Sequence, residues 1–179
     1  MSAVASDPGA RIEFLRRLRQ VRAFRPDPVS AEALRDVLEV GRWSGSASNT
    51  QPVEVVVVED TAVREQLAAG GANTARTAPV ALVLVTPGAA DRFELEVFDE
   101  GRLCERLLLA AAAHGLGAGV AWLKGDGPEA VKRLLGIPAG RRVRTVVGIG
   151  HPDTAAAPTR DRPAPPRKPA SEFAHRGRY

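Results

Sequence analysis

From Phe93 to His114 the sequence carries one continuous helical pattern, and its second half has no polar face. Leu103, Leu107, Leu108, Ala111 and Ala112 recur at three- and four-residue steps, and the late turns read LLLAAAA. A helix at a protein surface keeps a polar stripe, so a helix without one must be enclosed on every side. The chain has 179 residues, enough for one sizeable core. Its other apolar segments are short, and one small sheet offers too little surface to enclose this helix. The pattern therefore predicts that a second copy of the chain covers what the first cannot.

The remaining elements follow from caps, breakers and periodicity. Residues 11–19 align Ile12, Leu15 and Leu18 on one helical stripe with arginines opposite. Pro26 and Pro28 break that pattern, and Ser30 offers an N-cap for a helix over 31–42 with Leu34, Val37 and Leu38 inward. Val53–Val58 is a β-branched run, too apolar for a sheet edge, and predicts a buried strand. A short helix over 61–69 ends in Gly70-Gly71, and Pro79–Val85 predicts a second buried strand. Gly115 stops the long helix, and Gly119–Leu123 gives a third strand. Pro128 opens a helix ending near Gly136, and Arg144–Ile149 gives a fourth strand. Residues 151–179 hold six prolines and no regular pattern, which reads as an extended arm. Strands interleaved with helices in this way predict an α/β or α+β fold. The expected division is one domain over 1–159 and a basic arm over 160–179 that packs on the partner subunit.

Charge narrows the function. Residues 160–179 carry six Arg or Lys against two acids, which accounts for the whole net charge of +4. The preceding body is neutral, and duplex binding needs a basic face, so no nucleic-acid partner is expected. A tail of this kind suits a smaller anion such as a phosphate. No apolar run approaches the roughly 20 residues of a membrane span, and residues 1–30 show no apolar block with a cleavage site. The single cysteine, Cys104, fits a reducing compartment, so a cytoplasmic protein with no membrane partner is expected.

Side-chain catalysis finds no support. His114, His151 and His175 lack metal-ligand spacing, so no metal is expected, and there is no G-x-S-x-G elbow. The glycines of GLGAG at 115–119 follow a helix and open a strand, the reverse of a dinucleotide fingerprint. They fit a C-cap at Gly115 and close approach of backbone or of a flat ligand. Two segments carry more. The loop Ser44-Gly45-Ser46-Ala47-Ser48-Asn49-Thr50-Gln51-Pro52 combines small side chains, against which a planar ring can lie, with donors and acceptors. Arg19 and Arg22, three apart near a helix end, can fork a phosphate. Composition alone would equally allow a turn cluster and a solvated helix face.

In order along the chain, these segments resemble the nitroreductase-like FMN oxidoreductases. The resemblance rests on R-x-x-R-x-F at 19–24 and on S-x-S-x-S-N-x-Q-P at 44–52. It continues through the central helix around Asp99–Ala111, then HGLG and AWLKG at 114–125. GIGHP at 148–152 and the basic pair Arg167-Lys168 complete it. It implies a three-layer α/β/α sandwich with a mainly antiparallel central sheet, as an intertwined homodimer. It also implies FMN between the subunits, with NADH or NADPH as reductant. Arg19, Gln20 and Arg22 would meet the phosphate, helped by Arg167 and Lys168. Gly45, Ser46, Ala47 and Asn49 of the other subunit would line the flavin, with Gln51 beneath that loop. The backbone of Trp122, Leu123, Lys124 and Gly125 would face the ring.

The implied activity is ping-pong hydride transfer through flavin N5 to a nitroaromatic, quinone or enone. A dehydrogenase or oxidase of a biosynthetic intermediate, a deazaflavin enzyme and a non-catalytic flavin-binding module are the alternatives. The chain departs from the pattern at Leu18 and Gln20 in the phosphate motif. Val53 replaces a frequent aromatic after Q-P. Only Thr86–Phe93 separates the second strand from the long helix, where relatives often carry a helical insertion.

Overall fold

A computed structural model describes residues 7–156 and 165–179. Four strands form one sheet, β1 (Glu54–Val58), β2 (Val80–Thr86), β3 (Gly117–Trp122) and β4 (Arg142–Gly150), in the order β1-β2-β4-β3. Every pairing is antiparallel. The helices are α1 (Pro8–Arg17), α2 (Ala31–Arg42), α3 (Thr61–Ala69), α4 (Phe93–Ala113), α5 (Gly127–Leu135) and the short α6 (Ala170–Phe173).

The central strand β2 explains the layering. It is apolar at successive positions and buried throughout, so it serves a core on each face. Val80, Leu82 and Leu84 join α2 and α4, packing with Val37, Leu103, Leu107 and Ile149. Ala81, Val83 and Val85 point the other way, toward Leu67 of α3 and Val131 of α5. On β4, Val146 and Val143 both reach this second core although they are an odd number of residues apart. A bulge makes that possible, where the β2–β4 register shifts between Val83 and Val85. The result is the expected α/β/α sandwich.

The capping signals act as the sequence implies. The Ser30 side chain accepts from Ala33 N–H at 3.1 Å, and Gly115 and Gly136 adopt the positive φ that ends α4 and α5. Two features differ from expectation. β1 is an edge strand rather than an enclosed one, and Val57 is 37% exposed. The arm contains one turn of helix, α6. One chain covers the last turns of α4 only in part, in keeping with the expectation that a single sheet cannot enclose them: Leu107, Leu108, Ala110 and Ala111 are buried, Leu109 and Ala112 are half-buried, and Ala113 is exposed. α1 has no buried residue at all, so Ile12 and Leu15 of its apolar stripe face outward. The apolar surface left by β1, α1 and α4 exceeds what the elements of one chain supply.

The short connection between β2 and α4 is pinned by a buried carboxylate. Glu96 accepts the N–H of Gly88 at 3.1 Å and of Ala89 at 3.0 Å. Arg142 lies 3.6 Å from both Glu96 and Glu100, donates through Nε to the Thr86 hydroxyl, and stacks over Phe93. Among the described residues no helix is long and apolar enough to cross a membrane.

Candidate functional site

The free edge of β3 is where the sequence's basic motif meets the sheet. After α1 the chain runs along this edge, and Val21 N–H donates to Ala118 O at 2.8 Å. Gln20 turns its Oε1 to the N–H of Val120 at 3.2 Å, so its side chain completes the ladder in place of a strand. Such close approach requires glycine on β3, since a Cβ on Gly119 would overlap the carbonyl of Val21 and one on Gly117 would strike its side chain. The glycines of GLGAG thus admit backbone. In an antiparallel ladder alternate residues face outward, so Trp122 follows Ala118 and Val120 in the outward row.

Two continuous hollows run along this edge. One, of about 720 Å³, gathers Arg16, Arg19, Gln20, Arg22 and Arg167, with Glu105 the one acid in its lining. The other, of about 460 Å³, joins Gln20 and Arg22 to Gly71, Asn73, Thr74, Trp122 and Lys124. Gln20 and Arg22 belong to both, so an anion-attracting end leads directly into a strand end with a mixed polar and apolar lining. Arg19 donates twice at 2.7 Å to the carbonyls of Arg16 and Leu18, and Arg22 approaches Gln20 Oε1 at 3.5 Å. Lys124 N–H donates to Gly70 O at 2.9 Å and Leu123 N–H to Arg144 O at 2.8 Å, fixing the strand end. Leu123 is buried beneath, and Gly125 turns the chain away with a φ of 53°.

Sequence reasoning missed part of this lining. Gly71, Asn73 and Thr74 follow α3 in the segment GGANT, whose glycines signal only a helix stop in the sequence. Gly71 has a φ of 111°, and a Cβ there would come within 3.0 Å of Trp122 O. Thr74 is 2% exposed, yet its hydroxyl has no partner among the described residues. A buried, unpaired hydroxyl is a polar group that one further hydrogen-bond partner would satisfy. Arg16 was legible as one more arginine of the α1 face.

The second motif lies elsewhere. In the 44–52 loop, Ser48, Asn49 and Gln51 all have positive φ, at 52°, 54° and 49°. The Ser46 hydroxyl accepts Gln51 N–H at 2.8 Å, and Gln51 Nε2 donates to Asn49 O at 3.4 Å, with Gln51 itself exposed. α4 braces the loop from behind, because Asp99 Oδ2 accepts Ala47 N–H at 3.2 Å and Arg102 lies against Gly45. The loop enters β1, so it stands at the same end of the sheet as Trp122, where Glu54, Val85, Val143 and Thr145 also lie. It stands on the opposite edge. Three strand spacings, roughly 15 Å, separate β1 from β3. Within one chain, Gly45, Ser46, Ala47, Asn49 and Gln51 therefore line no common groove with Arg19, Gln20, Arg22 and Trp122. Lys168 is exposed and outside the groove lining, unlike its neighbour Arg167.

The remaining candidates stay structural. Burial pushes the Cys104 thiol up to about 12, with Glu100 and Glu105 adding to the effect, which makes it a core residue rather than a nucleophile. His114 Nε2 sits 3.0 Å from Asp36 at the α4 terminus. Among the described residues no group of His, Cys, Asp and Glu has metal-binding arrangement.

Comparison with known proteins places these features in a wider set. The sequence model of the Nitroreductase family matches residues 15–70 and 63–151. The chain is 31% identical to an NADH dehydrogenase of Thermus thermophilus, over 79% of this chain and 86% of that protein. It is 29% identical to an NADPH-flavin oxidoreductase of Vibrio harveyi, over 94% of this chain and 74% of that protein. Among solved structures, nitroreductase A from Vibrio parahaemolyticus superposes with a TM-score of 0.78 at 27% identity, covering 94% of this chain and 76% of that one. The NADPH:FMN oxidoreductase from Vibrio harveyi, complexed with NAD+, gives 0.77 at 26% identity, covering 94% and 77%.

Proposed function

The chain belongs to the nitroreductase family, and from that premise we propose that it is an FMN-dependent NAD(P)H oxidoreductase working as a homodimer. One observation carries the reading. The basic groove and the flavin-loop motif stand at one end of the same sheet but on opposite edges. A two-fold dimer joins the groove of one subunit to the 44–52 loop of the other, and it also supplies cover for α1 and α4.

The residues fit the cofactor. Arg22, Arg19 and Arg167 hold the phosphate, with Lys168 brought in from the arm; the arm is assigned to 160–179, its start lying outside the described residues, and its role is to pack on the partner. Gln20, tied to β3, keeps its amide N–H groups for the same end. Asn73, the unpaired Thr74 hydroxyl and the outward Trp122 N–H meet the polar edge of the ring. Gly71 leaves room for that edge beside the strand. Leu123, Lys124 and Gly125 fix the strand end on which the ring rests, and Gly45, Ser46, Ala47 and Asn49 of the second subunit close the other side. Gln51 stays under that loop.

When bound, FMN supplies a two-electron relay that accepts hydride from NADH or NADPH and returns the electrons to a small organic acceptor. The chain's part is to hold that relay and to leave one face accessible. The β2–α4 connection, fastened down by Glu96, stands at the same end of the sheet as the groove and adds no lid there. Donor and acceptor consequently use one open face in turn, which is ping-pong kinetics. A nitroaromatic, quinone or enone suits a face with so little enclosure. The setting is the cytoplasm, where NAD(P)H is available. The test is steady-state kinetics with NADH and NADPH against menadione and a nitrobenzoate. Parallel double-reciprocal lines are expected; intersecting lines overturn the shared-face mechanism.

A further inference from the structure

The turn into β4 and its first residues carry three arginines, Arg141, Arg142 and Arg144, and two of them are neutralised by acids. Arg141 pairs with Glu54 on β1, and Arg142 lies 3.6 Å from both Glu96 and Glu100. Arg144 differs. Its backbone carbonyl accepts Leu123 N–H at 2.8 Å, which sets it beside the end of β3. Its half-buried guanidinium lies over Trp122, with Cζ 4.1 Å from the ring centroid. Among the described residues it forms no ion pair and no side-chain hydrogen bond. A guanidinium seated over an aromatic face keeps its N–H donors for another partner, and their fork suits a phosphate.

Trp122 and Lys124 line the ring end of the groove, so Arg144 adds a second positive charge beside that end. The phosphate end is a different place. Arg16, Arg19 and Arg167 gather in the other hollow, whose lining includes neither Trp122 nor Arg144. FMN has one phosphate, and that end accounts for it. The acceptors that suit the open face, a nitroaromatic, a quinone or an enone, need carry no charge. Of the reactants, only the nicotinamide dinucleotide always brings further anionic groups, and it brings them to the open face on which Arg144 borders.

Resting on the reading of this groove as an FMN site, we propose that Arg144 is a specificity-determining residue for the reductant and receives a phosphate of the nicotinamide dinucleotide. Trp122 holds the guanidinium in place, and Lys124 adds charge beside it. Two phosphates share this chemistry: the pyrophosphate of both nucleotides and the 2′-phosphate that NADPH alone carries.

NAD+ and NADP+ titrated into the oxidised, FMN-loaded protein, and read by perturbation of the flavin absorbance, test this without turnover. Arg144→Gln should weaken NADP+ by about fivefold or more while FMN affinity holds within about twofold. A loss confined to NADP+ assigns the contact to the 2′-phosphate, and an equal loss for NAD+ assigns it to the pyrophosphate. Arg144→Lys, which keeps the charge without the fork, should recover part of the loss. Unchanged affinity for both nucleotides in a folded, flavin-loaded Arg144→Gln protein overturns the proposal. An equal loss of FMN affinity also overturns it, because Arg144 would then serve the flavin. A wild-type protein that takes up no FMN overturns the cofactor reading, and this assignment with it.

Discussion

Arg22 is the residue on which the proposed cofactor site turns, because it alone among the described arginines lines both the basic hollow and the ring end. Arg22→Ala should lower FMN affinity by about 1.5–3 kcal/mol, roughly ten- to a hundredfold, since a charge-assisted contact to phosphate is lost. Flavin fluorescence titration reads it. Thr74→Val separates binding from folding. The hydroxyl has no partner among the described residues, so the melting temperature should hold or rise slightly while FMN affinity falls about two- to tenfold. Unchanged affinity would assign Thr74 a packing role only. Gly119→Ala should cost about 1–3 kcal/mol and loosen FMN as well, because the added methyl displaces the Val21 backbone that carries Arg22. Arg22 and the loop motif were legible as residue types at set spacings. Thr74 and Asn73 were not, because their importance arises from α3 and β3 meeting at Gly71, a contact that local sequence does not encode.

At the scale of elements, the short β2–α4 connection is the segment most open to electrostatic test. Burial alone would raise the Glu96 carboxyl, but hydrogen bonds from Thr86 and from the N–H of Ala89 and Gly88, with Arg142 nearby, outweigh it and hold it below its ordinary 4.5. A carboxyl lowered by folding contributes stability that is full above the unfolded value and is lost as pH falls through the folded value. The melting temperature should therefore drop as pH falls below about 4.5. Glu96→Gln should melt lower at pH 7 and lose less on acidification, as read by circular dichroism melts across pH 3–7. The helices were legible because caps and periodicity act locally: Ser30, Gly115 and Gly136 end or begin elements where the sequence indicates. β1 was misread as enclosed because its apolar run records burial of some kind without saying by which chain. The stripe of α1 carries the same message, with Ile12 and Leu15 half in solvent.

At the scale of the whole molecule, uncovered apolar surface and two half-sites on opposite sheet edges lead to one expectation. The protein should have the mass of two subunits by light scattering, and a chain ending at residue 164 should bind FMN more weakly through loss of Arg167 and Lys168. The neutral body and basic tail, legible from charge alone, take on meaning once Arg167 is seen beside Arg19 and Arg22. The most direct measurement is the visible spectrum of the purified protein before and after NADH or NADPH is added without oxygen. The account predicts about one FMN per subunit, bleached by at least one of the two nucleotides. A colourless protein that fails to take up added FMN would contradict it.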